Sequence, residues 1–278
     1  MKFSKKLSAS LLVLGLGMSA SAYAKSELAG YYIGIDGRIN IPSGTYAGLP
    51  EPNSGNLTLL LNHGNHYHGI GAYSYTGPAA SPSINDTNSN NRIPEISALN
   101  PRPPLELNWG SGSLYSGKLT SQNNPSAVYG NLTFARVDTL AGHETGSEEQ
   151  ILFNSSSNRW STLLGTTSIG LQLISATPGL SIGNEQNTNL FANGNTLILD
   201  TYLDNGFAPI FWTAANAAAG TYTAEFRLIG LNDESINSGR FYFDFAPVAV
   251  PVPAAVWLFG SGLFGLLGLK HKHKLGFA

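Results

Sequence analysis

Alternation of apolar and polar residues with a period of two is the feature that most constrains the fold of this chain. In the segment 221–228 every second residue is apolar, beginning with Tyr222, and Phe241, Phe243 and Phe245 repeat the pattern nearer the C-terminus. Successive side chains of a β-strand point to opposite faces, so this spacing predicts antiparallel sheets with one buried face.

Similar short runs bounded by Gly, Pro and Asn recur between residues 25 and 247, whereas stretches that favour a helix are scarce. The predicted strands are 31–36, 57–61, 67–75, 128–138, 169–174, 196–203, 221–228 and 240–245. We therefore predict an all-β domain over residues 25–247, an antiparallel β-sandwich for which a jelly-roll-like topology is one option. Residues 79–104, rich in Pro, Asn and Ser, are expected to form a long surface loop, and residues 214–219 one helical turn.

Both ends of the chain carry the pattern of membrane-targeting segments. Three lysines, an apolar run and small residues ending in Ala22-Tyr23-Ala24 predict a signal peptide over residues 1–24, with cleavage before Lys25. Residues 254–269 carry no charge and precede a Lys-His-Lys-His-Lys cluster, which predicts a transmembrane helix with a cytoplasmic basic end. The histidines of that cluster would lie across the membrane from the domain, so they are excluded from the site.

Charge and cysteine content restrict what the domain can bind. Residues 25–253 contain 9 Lys or Arg against 17 Asp or Glu, a net charge of −8, which argues against a nucleic-acid partner. The chain has no cysteine, so any metal must be bound by histidine, carboxylate or backbone oxygen. A domain of about 220 residues buries enough apolar surface to fold without disulfides.

A cluster of histidines is the one constellation that predicts chemistry. His63, His66 and His68 fall within six residues, and His66 and His68 would share one face of a strand, their α-carbons about 6.6 Å apart. His63 lies in a Gly-containing turn that could fold it over the same face. A tetrahedral zinc site needs one more ligand, and His143, next to Glu144, is the other candidate. Imidazole and carboxylate suit Zn²⁺ but also Cu²⁺, Ni²⁺ or Fe²⁺.

The C-terminal sequence Val-Pro-Val-Pro-Ala-Ala-Val-Trp-Leu-Phe-Gly-Ser-Gly-Leu resembles the PEP-CTERM sorting signal of Gram-negative bacteria that make exopolysaccharide. It departs from that signal in having Pro251-Val252-Pro253 for Pro-Glu-Pro, and Lys and His for the Arg cluster. The resemblance implies that an exosortase recognises residues 248–274 and removes the helix. It further implies an intermediate anchored in the inner membrane and delivery to the cell surface or extracellular matrix.

The domain also resembles a family of PEP-CTERM surface proteins that are repressed by the zinc uptake regulator. The similar segments are 31–36, 43–50, 65–75, 151–156, 159–161, 211–213 and 219–222. This resemblance implies expression under zinc starvation and a zinc-related role at the surface. It carries over His63, His66 and His68 as ligands, whereas His143 is nominated from the residues alone.

Three functions follow from these patterns, of which the leading one is non-enzymatic zinc binding in zinc acquisition or homeostasis. A second is binding of exopolysaccharide or another carbohydrate, with Trp109, Trp160 and Trp212 as stacking faces. A third is zinc-dependent hydrolysis, with Glu144 or Glu148 as the base.

Overall fold

The computed structural model describes residues 28–96, 102–203 and 206–248. The predicted signal peptide and the sorting segment beyond residue 248 lie outside these described residues. Within the described ranges, no helix is both long enough and apolar enough to cross a membrane.

The described chain consists mainly of β-strands, so the prediction of an all-β fold is confirmed. Fifteen strands occur in the described residues: β1 (Tyr31–Ile35), β2 (Leu57–Asn62), β3 (Tyr67–Ile70), β4 (Ser74–Thr76), β5 (Ser83–Asn85), β6 (Arg92–Ile93), β7 (Leu105–Trp109), β8 (Lys118–Thr120), β9 (Phe134–Arg136), β10 (Ile169–Ala176), β11 (Ser181–Gly183), β12 (Thr196–Ile198), β13 (Ile210–Ala214), β14 (Tyr222–Gly230) and β15 (Phe241–Pro247). A small sheet has the order β3-β2-β1-β9, and β4 and β5 form a separate hairpin. A large sheet has the order β11-β13-β8-β7-β15-β14-β10-β12, with β6 also beside β15.

Strands β14 and β15 carry the predicted alternation and lie side by side within the large sheet. Phe226 pairs with Phe241, and Ala224 with Phe243, in antiparallel register. All four side chains are buried, as is Phe245. Burial of one such Phe side chain contributes about 1.5–3 kcal/mol, so this row of rings is a major part of the core.

The two main sheets share one apolar core. The ring of Tyr31 on β1 lies 5.8 Å from that of Phe243 on β15, measured between centroids. Phe134 on β9 lies 6.1 Å from the same ring. Because β1 and β9 belong to the small sheet and β15 to the large one, the inner faces of the two sheets pack against each other.

Most strand pairs are antiparallel as predicted, but three pairs in the described sheets are parallel. They join β1 to β9, β15 to β6 and β15 to β7. Parallel neighbours need a long crossover connection, and each of these pairs is separated by a long stretch of chain. Alternation within a strand reports which face is buried and contains no information on the direction of its neighbour.

The small sheet is buried on both faces at β2, which explains why Leu59, Leu60 and Leu61 are successive apolar residues. Its inner face carries Leu59 into the main core, and its outer face carries Leu60 into a second cluster. Trp160 and Leu152 cover that outer face, Leu152 from the helix Glu148–Phe153. Ser147 caps the N-terminus of this helix: its side chain accepts a hydrogen bond from the backbone N–H of Gln150.

The predicted strand 67–75 is interrupted at residues 71–73 and forms two separate strands, β3 and β4. Strand β3 ends at Ile70 because Gly71 has a φ of +67°, a conformation that breaks the ladder and that favours glycine. A Cβ at Gly71 would lie 2.6 Å from the carbonyl oxygen of Arg240, so no larger residue fits there. The chain then turns away, and Ser74–Thr76 forms the separate hairpin.

Two further predicted strands are too long. Of residues 128–138 only Phe134–Arg136 is a strand, because the side chain of Asn131 accepts from the backbone N–H of Thr133 and holds the preceding segment in a turn. Strand 196–203 stops at Ile198, and the helix Asp200–Leu203 follows. The carboxylate of Asp200 accepts from the backbone N–H of Ile169 and fixes that break.

The segment expected as a surface loop, residues 79–104, is anchored to the large sheet where the structure describes it. It contains β5 and β6, and β6 pairs with β15. Arg92 donates to both carboxylate oxygens of Asp244 at 2.7 Å and lies over the ring of Tyr242. Residues 214–219 form a turn, in which Ala217 N–H donates to Ala214 C=O, and the predicted helical turn is wrong.

Candidate metal centre

The three clustered histidines come together at the start of β3. Nε2 of His66 lies 3.2 Å from Nε2 of His68, as expected for residues two apart on one face of a strand. The ring centroids of His63 and His68 are 4.0 Å apart. The turn between them folds His63 toward His68. The backbone N–H of His63 donates to His66 C=O, and Gly64 in the turn has a φ of +85°.

Glu95 is the acidic member of this cluster, and the sequence reasoning missed it. Its Oε1 lies 2.7 Å from Nδ1 of His68, and its Oε2 lies 3.2 Å from Nε2 of His63. Glu95 follows β6, so the parallel pairing of β6 with β15 sets its position. No local pattern marked it, because it belongs to the Pro-, Asn- and Ser-rich segment and lies 27 residues from His68.

Ligand atoms of His63, His68 and Glu95 lie within 4.8 Å of one another, and this group could hold a metal ion. Metal–ligand bonds of 2.0–2.2 Å place two tetrahedral zinc ligands about 3.4 Å apart, so closure around an ion needs only small side-chain movements. His66 lies at the exposed edge of the group, with Nδ1 2.8 Å from Oδ1 of Asn65.

Hydrogen bonds hold Glu95 in its ionised form. Burial alone would raise the pKa of this carboxyl group, but hydrogen bonds from Asn90, His68 and His63 bring the pKa below its ordinary value. The Nδ2 group of Asn90 donates to Oε1 at 2.7 Å, and the hydroxyl of Tyr129 donates to Oε2 at 3.1 Å. A carboxylate is therefore available at neutral pH, with its orientation fixed by side chains outside the group.

The His63 imidazole and the Tyr129 phenol are in their neutral forms at neutral pH. Burial lowers the pKa of His63, and the neighbouring His68 lowers it further. Burial and the charge of Glu95 raise the pKa of Tyr129 to about 12. Neutral imidazole and ionised carboxylate are the forms that bind metals, so His63 and Glu95 are in metal-binding forms at pH 7.

The other nominated residues do not join this group. His143 and Glu144 lie on an exposed loop, where Nε2 of His143 is 3.1 Å from the carbonyl oxygen of Thr139. Glu148 is the first residue of the helix Glu148–Phe153. Among the described residues, His63, His68 and Glu95 form a group of three potential metal ligands. His143, Glu144 and Glu148 are not part of such a group.

The tryptophans proposed as stacking faces have different environments. Trp160 is buried in the second core cluster. Trp212 is half-buried, and its indole N–H donates to Thr188 C=O at 2.8 Å. Trp109 is 48% exposed at the end of β7. In the described contacts, these three tryptophans do not form one surface cluster.

Comparison of the chain with protein-family models, with curated proteins and with solved structures found no match. Inferences about the site therefore depend on its own geometry.

Proposed function

We propose that this chain is an exported, surface-sorted zinc-binding protein that holds zinc for acquisition or homeostasis and catalyses no reaction itself. The observation that carries the proposal is the convergence of His63 and His68 on the carboxylate of Glu95, with His66 beside His68. His63, His68 and Glu95 are the proposed ligands. His66, whose Nε2 lies 3.2 Å from Nε2 of His68, is proposed as the fourth. Three nitrogens and one oxygen suit zinc, whereas calcium and magnesium prefer oxygen alone.

Exposure supports a role in carrying zinc rather than in holding the fold together. The side chains of His63 and His68 are 22% and 38% exposed, and His66 is exposed. The apolar core of the two sheets lies elsewhere, so the fold does not depend on the ion. Glu144 and Glu148, the bases that hydrolysis was predicted to use, do not join the group, so binding is favoured over catalysis.

Export and sorting complete the proposal. The signal peptide, residues 1–24, would direct secretion, and an exosortase-type enzyme would process residues 248–274 after insertion in the inner membrane. The described domain would then reach the surface or matrix. We further propose that the sheets form a β-sandwich, supported by the ring contact between Tyr31 and Phe243, while the parallel pairs disfavour a jelly roll.

Residues 25–247 are expected to bind one zinc ion per chain, and a His63→Ala, His66→Ala, His68→Ala variant none. Removal of three of four ligands leaves a single carboxylate, which cannot compete with water for the ion. The measurement is metal content by mass spectrometry together with zinc titration calorimetry. His143→Ala is the matched control and should bind zinc as the unmodified domain does. Absence of stoichiometric zinc from the unmodified domain would refute the proposal.

Acid is expected to destabilise the metal-free domain through the same groups. The pKa values of His63 and Glu95 are both below their ordinary values of 6.5 and 4.5 in the folded state. The unfolded chain therefore binds more protons, so this contribution is complete above pH 6.5 and is lost as the pH falls through the folded values. Urea midpoints at pH 7.5, 6.0 and 4.5 test this, with a His63→Asn, Glu95→Gln variant as reference. Equal pH dependence in both proteins would contradict the expectation.

A further inference from the structure

A cleft of about 300 Å³ lies on the opposite side of β3 from the metal centre. Gly69 lines the cleft, whereas its neighbour His68 belongs to the metal group. Successive residues of a strand face opposite sides, so the two sites are separate. The lining residues that matter here are three tyrosines and three polar side chains: Tyr46, Tyr73, Tyr75, Glu51, Asn88 and Arg159.

The tyrosine rings form the apolar wall of this cleft, and all three are half-buried. The rings of Tyr46 and Tyr75 pack at 54° with centroids 5.4 Å apart. The hydroxyl of Tyr46 donates to Gly77 C=O at 2.7 Å, which fixes its ring against the β4–β5 hairpin. Rings held in this way offer an apolar face to a ligand with little further loss of rotamer freedom.

Arg159 dominates the polar end of the cleft, and buried acidic groups hold it in place. Its Nε donates to Oδ1 of Asp36 at 2.8 Å, and its Nη2 contacts Oδ2 of Asp36 and lies 3.4 Å from Oε2 of Glu51. Arg38 lies 3.8 Å from the same oxygen of Glu51. Two cations thus face two carboxylates, and the polar end has no excess charge for an anion to neutralise.

The backbone that presents Arg159 adopts an unusual conformation. Ser156, Ser157 and Asn158 have φ values of 55°, 56° and 58°, the left-handed region that residues with a side chain rarely occupy. Such strain persists only where surrounding contacts enforce it, and it concentrates at binding sites. The contacts here are the ion pair to Asp36 and the stacking of the Arg159 guanidinium over Trp160 at 4.5 Å.

We infer that this cleft binds a neutral saccharide of one or two sugar rings. Tyrosine faces suit the C–H surface of a pyranose, and the amide of Asn88 with the carboxylate of Glu51 suits its hydroxyl groups. The balanced charges disfavour phosphorylated or uronic ligands. A volume of about 300 Å³ is at the lower limit for small-molecule pockets, which restricts the ligand to a short saccharide. This binding site is independent of the proposed zinc function.

The test uses the full-length chain, purified in a detergent without a sugar headgroup. Calorimetry and saturation-transfer NMR would measure binding of cellobiose, maltose, mannobiose, laminaribiose and di-N-acetylchitobiose, with digalacturonate as the anionic comparison. At least one neutral saccharide is expected to bind, more tightly than digalacturonate and equally with or without EDTA. Tyr75→Ala should weaken this binding by about tenfold or more, the loss typical of removing an aromatic anchor.

Two further variants separate loss of the site from loss of the fold. Tyr75→Phe keeps the ring and should retain binding within about twofold. Asn88→Asp places a charge in the cleft without changing side-chain size and should weaken binding while the far-ultraviolet circular dichroism spectrum is unchanged. Failure of every neutral saccharide to bind, preference for digalacturonate, or binding unaffected by Tyr75→Ala and Asn88→Asp would each overturn the inference.

Discussion

Replacement of Glu95 by Gln is expected to weaken zinc binding by at least about 100-fold. Groups that only orient a ligand typically change metal affinity by 10–100-fold when mutated, and loss of the one carboxylate ligand should exceed that range. Gln keeps the size of the side chain and can still accept a hydrogen bond from Asn90, so the change removes the charge and one acceptor oxygen. Titration of the domain with zinc in the presence of a competing chelator measures the ratio of affinities.

Tyr129→Phe is the matched variant for this experiment. The Tyr129 hydroxyl donates to Glu95 but does not belong to the metal group, so its removal should cost about tenfold in zinc affinity. A Glu95→Gln loss no larger than that of Tyr129→Phe would show that Glu95 orients His68 instead of binding the ion. That result would leave His63, His66 and His68 as the zinc ligands.

Replacement of Asp36 by Ala is expected to lower the free energy of unfolding by about 3 kcal/mol. The Asp36 side chain is fully buried and accepts hydrogen bonds from Arg159, Asn53 and the backbone N–H of Arg38. Removal of one partner of a buried ion pair costs about 3–5 kcal/mol. The lower end applies because Arg159 is 19% exposed and can regain some hydration.

Urea denaturation of the zinc-free domain measures this effect. Glu185→Ala is the control, because Glu185 is exposed and such substitutions change stability by less than about 0.5 kcal/mol. A cost for Asp36→Ala no greater than that of the control would mean that the Asp36–Arg159 pair contributes nothing net to stability.

The sequence predicted strands reliably where apolar and polar residues alternate, because that pattern depends on burial of the residues themselves. Phe241, Phe243 and Phe245 alternate with polar residues because one face of β15 is buried, and the structure confirms it. The run 57–61 gave the strand correctly but not the second buried face, which depends on Trp160 far along the chain. Parallel pairing could not be predicted for a similar reason, because the direction of neighbouring strands depends on their connections and not on the local sequence pattern.

The sequence likewise predicted one part of the candidate site and not another. The spacing of His63, His66 and His68 predicted their convergence, because a turn and two strand steps are local geometry. Glu95 could not be found from spacing, since the pairing of β6 with β15 places it and those strands are about 150 residues apart. His143 had the right residue type but is exposed beside Thr139, and spacing alone gave no distance to the cluster.

The location of β15 limits the order in which the strands of the protein can fold together. This strand is flanked by β14 on one side and by β6 and β7 on the other, so it joins two early strands to a late one. A chain delivered N-terminus first cannot close the large sheet until residue 247 arrives, and such distant contacts form slowly. Glu95 is fixed by that closure. We therefore expect nascent chains to remain unable to retain zinc until synthesis has passed β15, so that zinc binding follows folding.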